Sequence, residues 1–165
     1  MLQNIITSKT RLRLLVKFFI NVSNSGYLRG LAHEMNENTN AIRKELNNLS
    51  EAGYLIKEEQ DSKVIYKANI HHPFFDILQA LVRKYIGVDA LVESIVERIG
   101  DISRVFLLGD YTKDLEVIDV VIEGVALDQD YIDHLIPKIA KEINKEITIT
   151  TTDLFVGQGL LIFEK

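Results

Sequence analysis

The spacing of apolar residues in the first part of the chain predicts three consecutive α-helices. Apolar side chains recur at helical intervals over residues 9–22, about 28–35, and from Asn38 or Asn40 to Ala52, which is typical of helices with one buried face. The residues that set this period are Leu12, Leu15, Phe19 and Val22, then Leu31, Ala32 and Met35, then Ile42, Leu46 and Leu49. Short helices of this kind gain most of their stability by packing their apolar faces together.

Polar and small residues mark the ends of these helices. Ser8 or Thr10 is placed to cap the start of the first helix, and residues 24–26, Asn-Ser-Gly, predict a turn before the second. Asn36 is placed to end the second helix and Gly53 to end the third, because both residue types accept left-handed backbone angles.

Two β-rich runs follow the third helix. Residues 54–59 and 63–68 flank the polar residues 60–62, Gln-Asp-Ser, and this pattern predicts a hairpin with a three-residue turn. The sequence His71-His72-Pro73 then breaks the pattern, because the residue before a proline is disfavoured in helical space.

A fourth and a fifth helix are predicted after this break, over residues 74–86 and 88–99. The apolar stripe of the fourth helix consists of Phe75, Leu78, Leu81, Val82 and Ile86. The apolar residues of the fifth helix are Leu91, Ile95 and Ile99.

The last third of the chain has a different pattern. Residues 105–108 and 117–122 are apolar runs, which suit strands that are covered on both faces. A helix is predicted over about 129–143, with a kink or a late start at Pro137. Further strands are predicted at 147–151 and 160–163.

The composition restricts the class of protein. Hydrophobic residues make up 47% and charged residues 26%, which is ordinary for a soluble globular protein. Cysteine is absent, which excludes disulfides, zinc–thiolate sites and thiol redox sensing. No apolar run reaches the length of a membrane span and no signal peptide is recognisable, so we expect a cytoplasmic protein with no membrane partner.

The charge is divided unequally along the chain, whose net charge is −5. Residues 1–70 contain 10 Lys and Arg against 7 Asp and Glu, whereas residues 71–165 contain 9 against 17. A basic half followed by an acidic half is expected when only the first module contacts nucleic-acid phosphates. Chance scatter of surface charge is the alternative.

The third helix carries candidate nucleic-acid contacts on the face opposite its apolar stripe. These residues are Thr39, Asn40, Arg43, Lys44 and Asn47. A helix fits the major groove, where Arg pairs with guanine and Asn with adenine. We expect Lys63 in the hairpin to contact phosphate, with Lys57, Arg11 and Arg13 as further candidates. The alternative is a solvated helix face that bears two ordinary cations.

The run from Asn40 to Leu55, NAIRKELNNLSEAGYL, resembles the recognition helix and following turn of ArsR- and MarR-like winged helix-turn-helix regulators. In those families a stripe of the form hLxxLxxAGhh precedes a charged hairpin, as it does here. The resemblance covers most of residues 10–70 and implies a domain that binds double-stranded DNA.

Regulators of this kind usually form homodimers. We expect the apolar width of the first helix to contribute to a dimer interface together with Phe75, Leu78, Val82 and Ile86. Two DNA half-sites would then lie about one helical turn apart.

The histidines do not predict a metal site. ArsR-type metal sensors use cysteine ligands, which this chain lacks. His71 and His72 are adjacent, so they do not share one face of a helix or strand, and His33 and His134 lie far away in sequence. We predict capping or solvated roles for these side chains, with no metal and no cofactor.

The region of roughly residues 87–165 resembles the minimal nucleotidyltransferase fold. Gly109 matches the glycine of the family's Gly-Ser turn, Asp110 replaces the serine, and Asp119 matches the second carboxylate of its Asp-x-Asp strand. In that family the glycine turn approaches a triphosphate and the carboxylates hold divalent metals.

The match to this motif is incomplete. Val117 stands in place of the first carboxylate, and residues 147–149 supply no third one. The resemblance therefore implies a degenerate nucleotide site that has lost transferase activity. The alternative is that Asp119 is a surface or capping residue of an unrelated α/β domain.

The predicted fold class is α+β. It comprises a winged helix-turn-helix domain at 1–70, a linker and dimerisation helix at 71–86, and a small α/β nucleotidyltransferase-like domain at 87–165. The predicted function is sequence-specific transcription regulation, with the C-terminal domain sensing a small molecule or docking a protein effector. The alternatives are an active Mg²⁺-dependent nucleotidyltransferase and a protein-interaction module that does not bind DNA.

Overall fold

The structure, a computed structural model, describes residues 2–109 and 114–165. Its class is mixed α+β, as the sequence predicts. The chain divides into two compact units, residues 1–82 and 83–165. The division falls inside a helix rather than on either side of a separate linker at 71–86.

Three helices begin the first unit, after a 3-10 turn at Leu2–Asn4. They are α1 (Lys9–Ile20), α2 (Leu28–Glu34) and α3 (Thr39–Glu51). Ser8 is the residue that caps α1, since its hydroxyl accepts the Arg11 N–H at 3.1 Å.

The helix ends follow the predicted chemistry. Asn36, just past α2, has a φ of +48°, and Gly53, just past α3, has a φ of +80°. Val22 does not belong to α1, which ends at Ile20, and the Val22 side chain is exposed.

The first unit contains a three-stranded antiparallel sheet in the order β1-β3-β2. Its strands are β1 (Ser25–Gly26), β2 (Leu55–Gln60) and β3 (Lys63–Ala68). The sequence predicts only a turn at the position of β1, which instead pairs with Tyr66 and Lys67. Two paired residues are too few to produce a detectable alternation.

The hairpin turn has two residues rather than the predicted three. Gln60 pairs with Lys63, which leaves Asp61 and Ser62 as the turn, with φ values of +49° and +63°. Left-handed angles at both central positions characterise the type I′ turn, whose twist matches that of the flanking strands.

The helix α4 (Phe75–Ile86) only partly follows its predicted stripe. The Phe75 ring lies 5.7 Å from that of Phe19, centroid to centroid, and Val82 and Ile86 are buried. Leu81, however, is 40% exposed, and Ile77, outside the predicted stripe, is 66% exposed.

The second unit has two further helices and a four-stranded sheet among its described residues. Its elements are α5 (Val88–Val96), β4 (Asp101–Leu108), β5 (Val117–Val125), α6 (Gln129–Ile143), β6 (Glu146–Thr152) and β7 (Leu160–Glu164). The helix α6 continues through Pro137, so the predicted late start is wrong. The helix α5 ends three residues before Ile99, which is nevertheless buried.

The sheet order in the second unit is β6-β5-β4-β7. The β5–β6 pair is parallel, because α6 crosses between these strands, and the other pairs are antiparallel. The helix α5 packs on β4 and β7, α6 packs on β6, and the two helices contact each other. The helices therefore cover one face of the sheet, and Asp119 lies on the face that they leave uncovered.

Candidate functional site

The helix α3 is fixed from behind by its apolar residues. Ile42, Leu46 and Leu49 are buried at spacings of four and three, so they form one stripe against α1 and α2. The side chain of Asn38 caps the helix by accepting the Asn40 N–H at 2.7 Å. These contacts determine which face of α3 remains outside.

A buried carboxylate adds a polar attachment between α3 and α1. Glu45 accepts hydrogen bonds from the Ser8 hydroxyl at 2.8 Å and the Arg11 Nε at 2.7 Å, and its side chain is 7% exposed. Burial by itself would raise the pKa of Glu45, but the hydrogen bonds from Arg11 and Ser8 outweigh it and lower the pKa. Glu45 is therefore a charged part of the interior.

The opposite face of α3 carries the residues that the sequence analysis selected. Thr39, Asn40, Arg43 and Lys44 are exposed, and Asn47 is half-buried. The Arg43 guanidinium donates to the Asn40 side-chain oxygen at 2.9 Å. The Arg and the Asn therefore lie side by side at the N-terminal end of the helix, where both present hydrogen-bonding groups to solvent.

Arg11 and Arg13, the further candidates for phosphate contacts, both have partners within the first unit. Arg11 is bound to Glu45, and Arg13 is buried, where it donates to the Met35 carbonyl at 2.6 Å and to Glu37 at 3.4 Å. Both arginines connect α1 to its neighbours; Arg13 is buried, whereas the Arg11 side chain is partly exposed.

Tyr27 and Arg29, at the start of α2, were not among the predicted nucleic-acid contacts. The Lys63 ammonium lies 4.4 Å from the centroid of the Tyr27 ring, which brings the hairpin against the start of α2. Arg29 follows two residues later and is exposed. In the sequence, the available signal was Arg29, a basic residue two positions after Tyr27. Lys57 is exposed on the hairpin, 5.8 Å from the Tyr66 centroid.

Ion pairs within the first unit leave most of its unpaired cations on the surface formed by α2, the exposed face of α3 and the hairpin. Four acids are paired: Glu34 with Lys17, Glu37 with Arg13, Glu45 with Arg11, and Glu58 with Lys67. Among the described residues of 1–70, the cations without an acid partner are Lys9, Arg29, Arg43, Lys44, Lys57 and Lys63. Most of these lie on α2, α3 or the hairpin, where the acids Glu51, Glu59 and Asp61 oppose only part of their charge.

The second unit places two of the three predicted nucleotide-site residues together, and Asp110 lies outside the described residues. Gly109 follows β4 with a φ of +72°, and a Cβ built on it would lie 3.5 Å from the Asp119 Oδ2. On β6 the residue directly paired with Asp119 is Thr148. The strand beside Asp119 therefore carries a hydroxyl at this register position rather than a carboxylate.

A cleft of about 460 Å³ opens beside Asp119. Its lining residues are Leu108, Gly109, Asp119, Val120, Thr148, Thr150, Phe155, Gly157 and Gln158. They come from the end of β4, the starts of β5 and β6, and the loop of residues 153–159. The described residues hold no group of three or more His, Asp or Glu that is arranged to bind a metal.

The 153–159 loop is anchored over the sheet by Glu123. The Phe155 N–H donates to the Glu123 Oε2 at 2.9 Å, and Arg104 donates to both carboxylate oxygens at 3.0 and 2.7 Å. The Arg104 guanidinium and the Phe155 N–H lower the pKa of Glu123 to about 2. The Phe155 ring packs 4.8 Å from the Phe106 ring, centroid to centroid, and forms one wall of the cleft.

His72 has a local structural role. The His72 Nδ1 accepts the Phe74 N–H at 3.0 Å, and its ring packs 4.3 Å from that of Tyr54, centroid to centroid. This agrees with the predicted capping role before α4. His71 is exposed.

Within the described ranges, no helix combines the length and the apolar character that a bilayer crossing requires.

A comparison with known protein families and with curated proteins finds no match for this chain.

Proposed function

We propose that the first unit is a winged helix-turn-helix domain that binds double-stranded DNA, and that the protein is a transcription regulator. The observation that carries the proposal is the division of α3 into two faces. Ile42, Glu45 and Leu46 fix the helix from behind, while Asn40 and Arg43 lie exposed and hydrogen-bonded to each other. A fixed helix with exposed Arg and Asn has the features needed to read base edges.

In this proposal α3 enters the major groove with its N-terminal half. Arg43 would donate to guanine O6 and N7, and Asn40 would pair with adenine, once their mutual hydrogen bond is exchanged for contacts to bases. Arg29 and Lys63 would contact phosphates beside the groove. Because Glu59 and Asp61 lie near Lys63 in the hairpin, we expect α3 to contribute more to affinity than the hairpin does.

A homodimer is part of the same proposal, but through different residues from those predicted. The apolar residues of α1, along with Val82 and Ile86, are buried by the chain itself. On the side of α4 that faces solvent, Ile77 and Leu81 are 66% and 40% exposed at a spacing of four. A second copy would cover this face, since two symmetric half-sites require two copies of α3.

The test is fluorescence anisotropy with duplex DNA from upstream of the protein's own gene, at several salt concentrations. The variant Arg43→Ala/Lys44→Ala is compared with Lys138→Ala/Lys141→Ala, which removes the same charge from exposed positions on α6. We expect the first variant to lose about 1–3 kcal/mol of binding free energy for each base contact and to show a shallower salt dependence. The second should bind like the wild type.

Two results would contradict the proposal in different ways. Equal weakening by both double variants would mean that net charge, not α3, determines binding. Absence of binding to that DNA by the wild-type protein would favour the protein-interaction module. The nucleotidyltransferase alternative is tested separately by titration with ATP and Mg²⁺, where silence at millimolar nucleotide argues against it.

A further inference from the structure

We propose that the cleft beside Asp119 binds a small organic cation, with a guanidinium or a primary ammonium group held by the Asp119 carboxylate. This assignment concerns the second unit alone and does not depend on DNA binding by the first. It also differs from the nucleotide site that the sequence resemblance implies.

Among the described residues that line the cleft, Asp119 is the only one with a charged side chain. The other polar side chains that line it are those of Thr148, Thr150 and Gln158, and the remaining lining residues are apolar or glycine. Within the described parts of the chain, no lining residue is cationic and Asp119 has no ion pair or hydrogen bond.

A second acid reinforces the negative charge on this sheet face. Glu146 pairs with Val117 in the same parallel ladder in which Thr148 pairs with Asp119. Because side chains alternate along a strand, Glu146, Thr148 and Asp119 share one face of the sheet. Glu146 is exposed, so it adds to the field at the open side of the cleft without filling it.

These negative charges disfavour the binding of a phosphate group in the cleft. A phosphate group in the cleft would lie close to the Asp119 carboxylate, which no cation among the described lining residues compensates, and like charges at such distances repel. A cation gains the same interaction with the opposite sign. A guanidinium gains most, because its planar pair of N–H groups matches both carboxylate oxygens.

The remaining groups of the cleft suit the rest of such a ligand. The Thr148 and Thr150 hydroxyls and the Gln158 amide oxygen are able to accept hydrogen bonds from further N–H groups. The Phe155 ring forms an apolar wall for an aliphatic stem or a cation face. That wall has a fixed position, because the Phe155 N–H is bound to Glu123, which Arg104 holds in turn.

The experiment is an NMR titration of the full-length ¹⁵N-labelled chain with n-butylguanidinium, and with n-butylurea as the uncharged ligand of the same shape. We expect n-butylguanidinium to shift the amide resonances of Asp119, Thr148 and Gln158 at millimolar concentrations. The urea should bind about tenfold or more weakly, since a charged hydrogen-bonded pair is replaced by a neutral one.

Two variants locate the effect. Asp119→Asn should abolish the preference for the cation, whereas Glu142→Gln removes an equal charge from an exposed position on α6 and should retain it. Equal binding of the two ligands to the wild type would overturn the assignment, as would no shift at the cleft at millimolar n-butylguanidinium. Shifts at the same amides on addition of ATP, without shifts from the cation, would favour the nucleotide site instead. The ligand pair keeps the test valid even if Asp119→Asn does not fold.

Discussion

Replacement of Glu45 by glutamine tests whether the buried carboxylate holds α3 against α1. Two donors reach this carboxylate, the Ser8 hydroxyl at 2.8 Å and the Arg11 Nε at 2.7 Å. Glutamine keeps the shape and one acceptor oxygen, but its amide group presents a donor to the second partner. The charged hydrogen bond with Arg11 is therefore replaced at best by a neutral one, and hydrogen bonds to charged groups typically contribute about 1.5–3 kcal/mol.

The lower end of this range applies because Arg11, the charged partner of Glu45, is partly exposed. The Arg11 side chain is 40% exposed, so it becomes hydrated when its partner is lost. We therefore expect Glu45→Gln to lower the unfolding free energy of the first unit by about 1.5 kcal/mol. For a unit of this size that corresponds to a fall in Tm of roughly 6–12 °C.

Hydrogen exchange of the α3 amides in the full-length chain measures this loss, with the amides of the second unit as an internal reference. Glu51→Gln is the matched control, because Glu51 is exposed at the end of the same helix. It should change stability by less than about 0.5 kcal/mol. If Glu45→Gln also changed stability by less than about 0.5 kcal/mol, the attachment of α3 through Glu45 would be refuted.

The same variant has a defined pH dependence. The pKa of Glu45 is lowered in the folded protein from its ordinary value of 4.5. Its stabilising contribution is therefore complete above that ordinary value and is lost as the pH falls through the folded pKa. The difference between the wild type and Glu45→Gln should consequently shrink on acidification.

Three further predictions follow from other contacts. Arg29→Ala should weaken binding to specific and random duplexes alike and reduce the salt slope by about one, as for a phosphate contact; a sequence-dependent loss in anisotropy assays would assign it to a base. Glu123→Gln should accelerate hydrogen exchange at the Phe155 amide and remove the part of the acid destabilisation that lies between pH 4.5 and about 2; unchanged exchange would show that Glu123 does not hold the loop. Ile77→Asp should yield a folded monomer in sedimentation analysis of a dimeric wild type, and a dimer that persists would place the interface elsewhere.

The sequence predicts the local structure of the first unit well, because its signals are local. Helical spacing, Ser8, Asn38 and Gly53 locate α3 and the start of α1 to within a residue or two. The exposed face of α3 follows directly from that spacing. The strand β1 was missed because it has two residues and is defined by its partners in β3.

The role of a charged residue was harder to predict than its position. Arg13 and Arg43 both lie on predicted helices, yet one is buried against the Met35 carbonyl and the other is exposed. The difference depends on whether neighbouring helices surround the side chain, and spacing within one helix does not contain that information.

Glu45 lies three residues after Ile42 and four before Leu49, so helical spacing places it on the buried face. Its partners Ser8 and Arg11 lie on another helix and are not contained in that spacing.

In the second unit Gly109 and Asp119 lie close together, because one follows a predicted strand and the other lies within the next one. The sequence did not predict the wall that Phe155 forms. That contact depends on Glu123, which lies in an apolar strand and pairs with a loop far along the chain. A buried acid inside an apolar strand was the available signal.

The two sheets also differ in how far along the chain their partners lie, and this has a consequence for folding kinetics. In the first unit, β2 and β3 are joined by the two-residue turn Asp61-Ser62, so their pairing closes a short loop. In the second unit, the whole of α6 lies between the paired strands β5 and β6 in the sequence. The strands β4 and β7 also pair, although they are the first and the last strand of the unit. Closing such long loops costs more chain entropy before any contact is formed, and proteins dominated by distant pairings fold more slowly. The hairpin of the first unit should therefore acquire native protection in a refolding experiment before the sheet that forms the cleft.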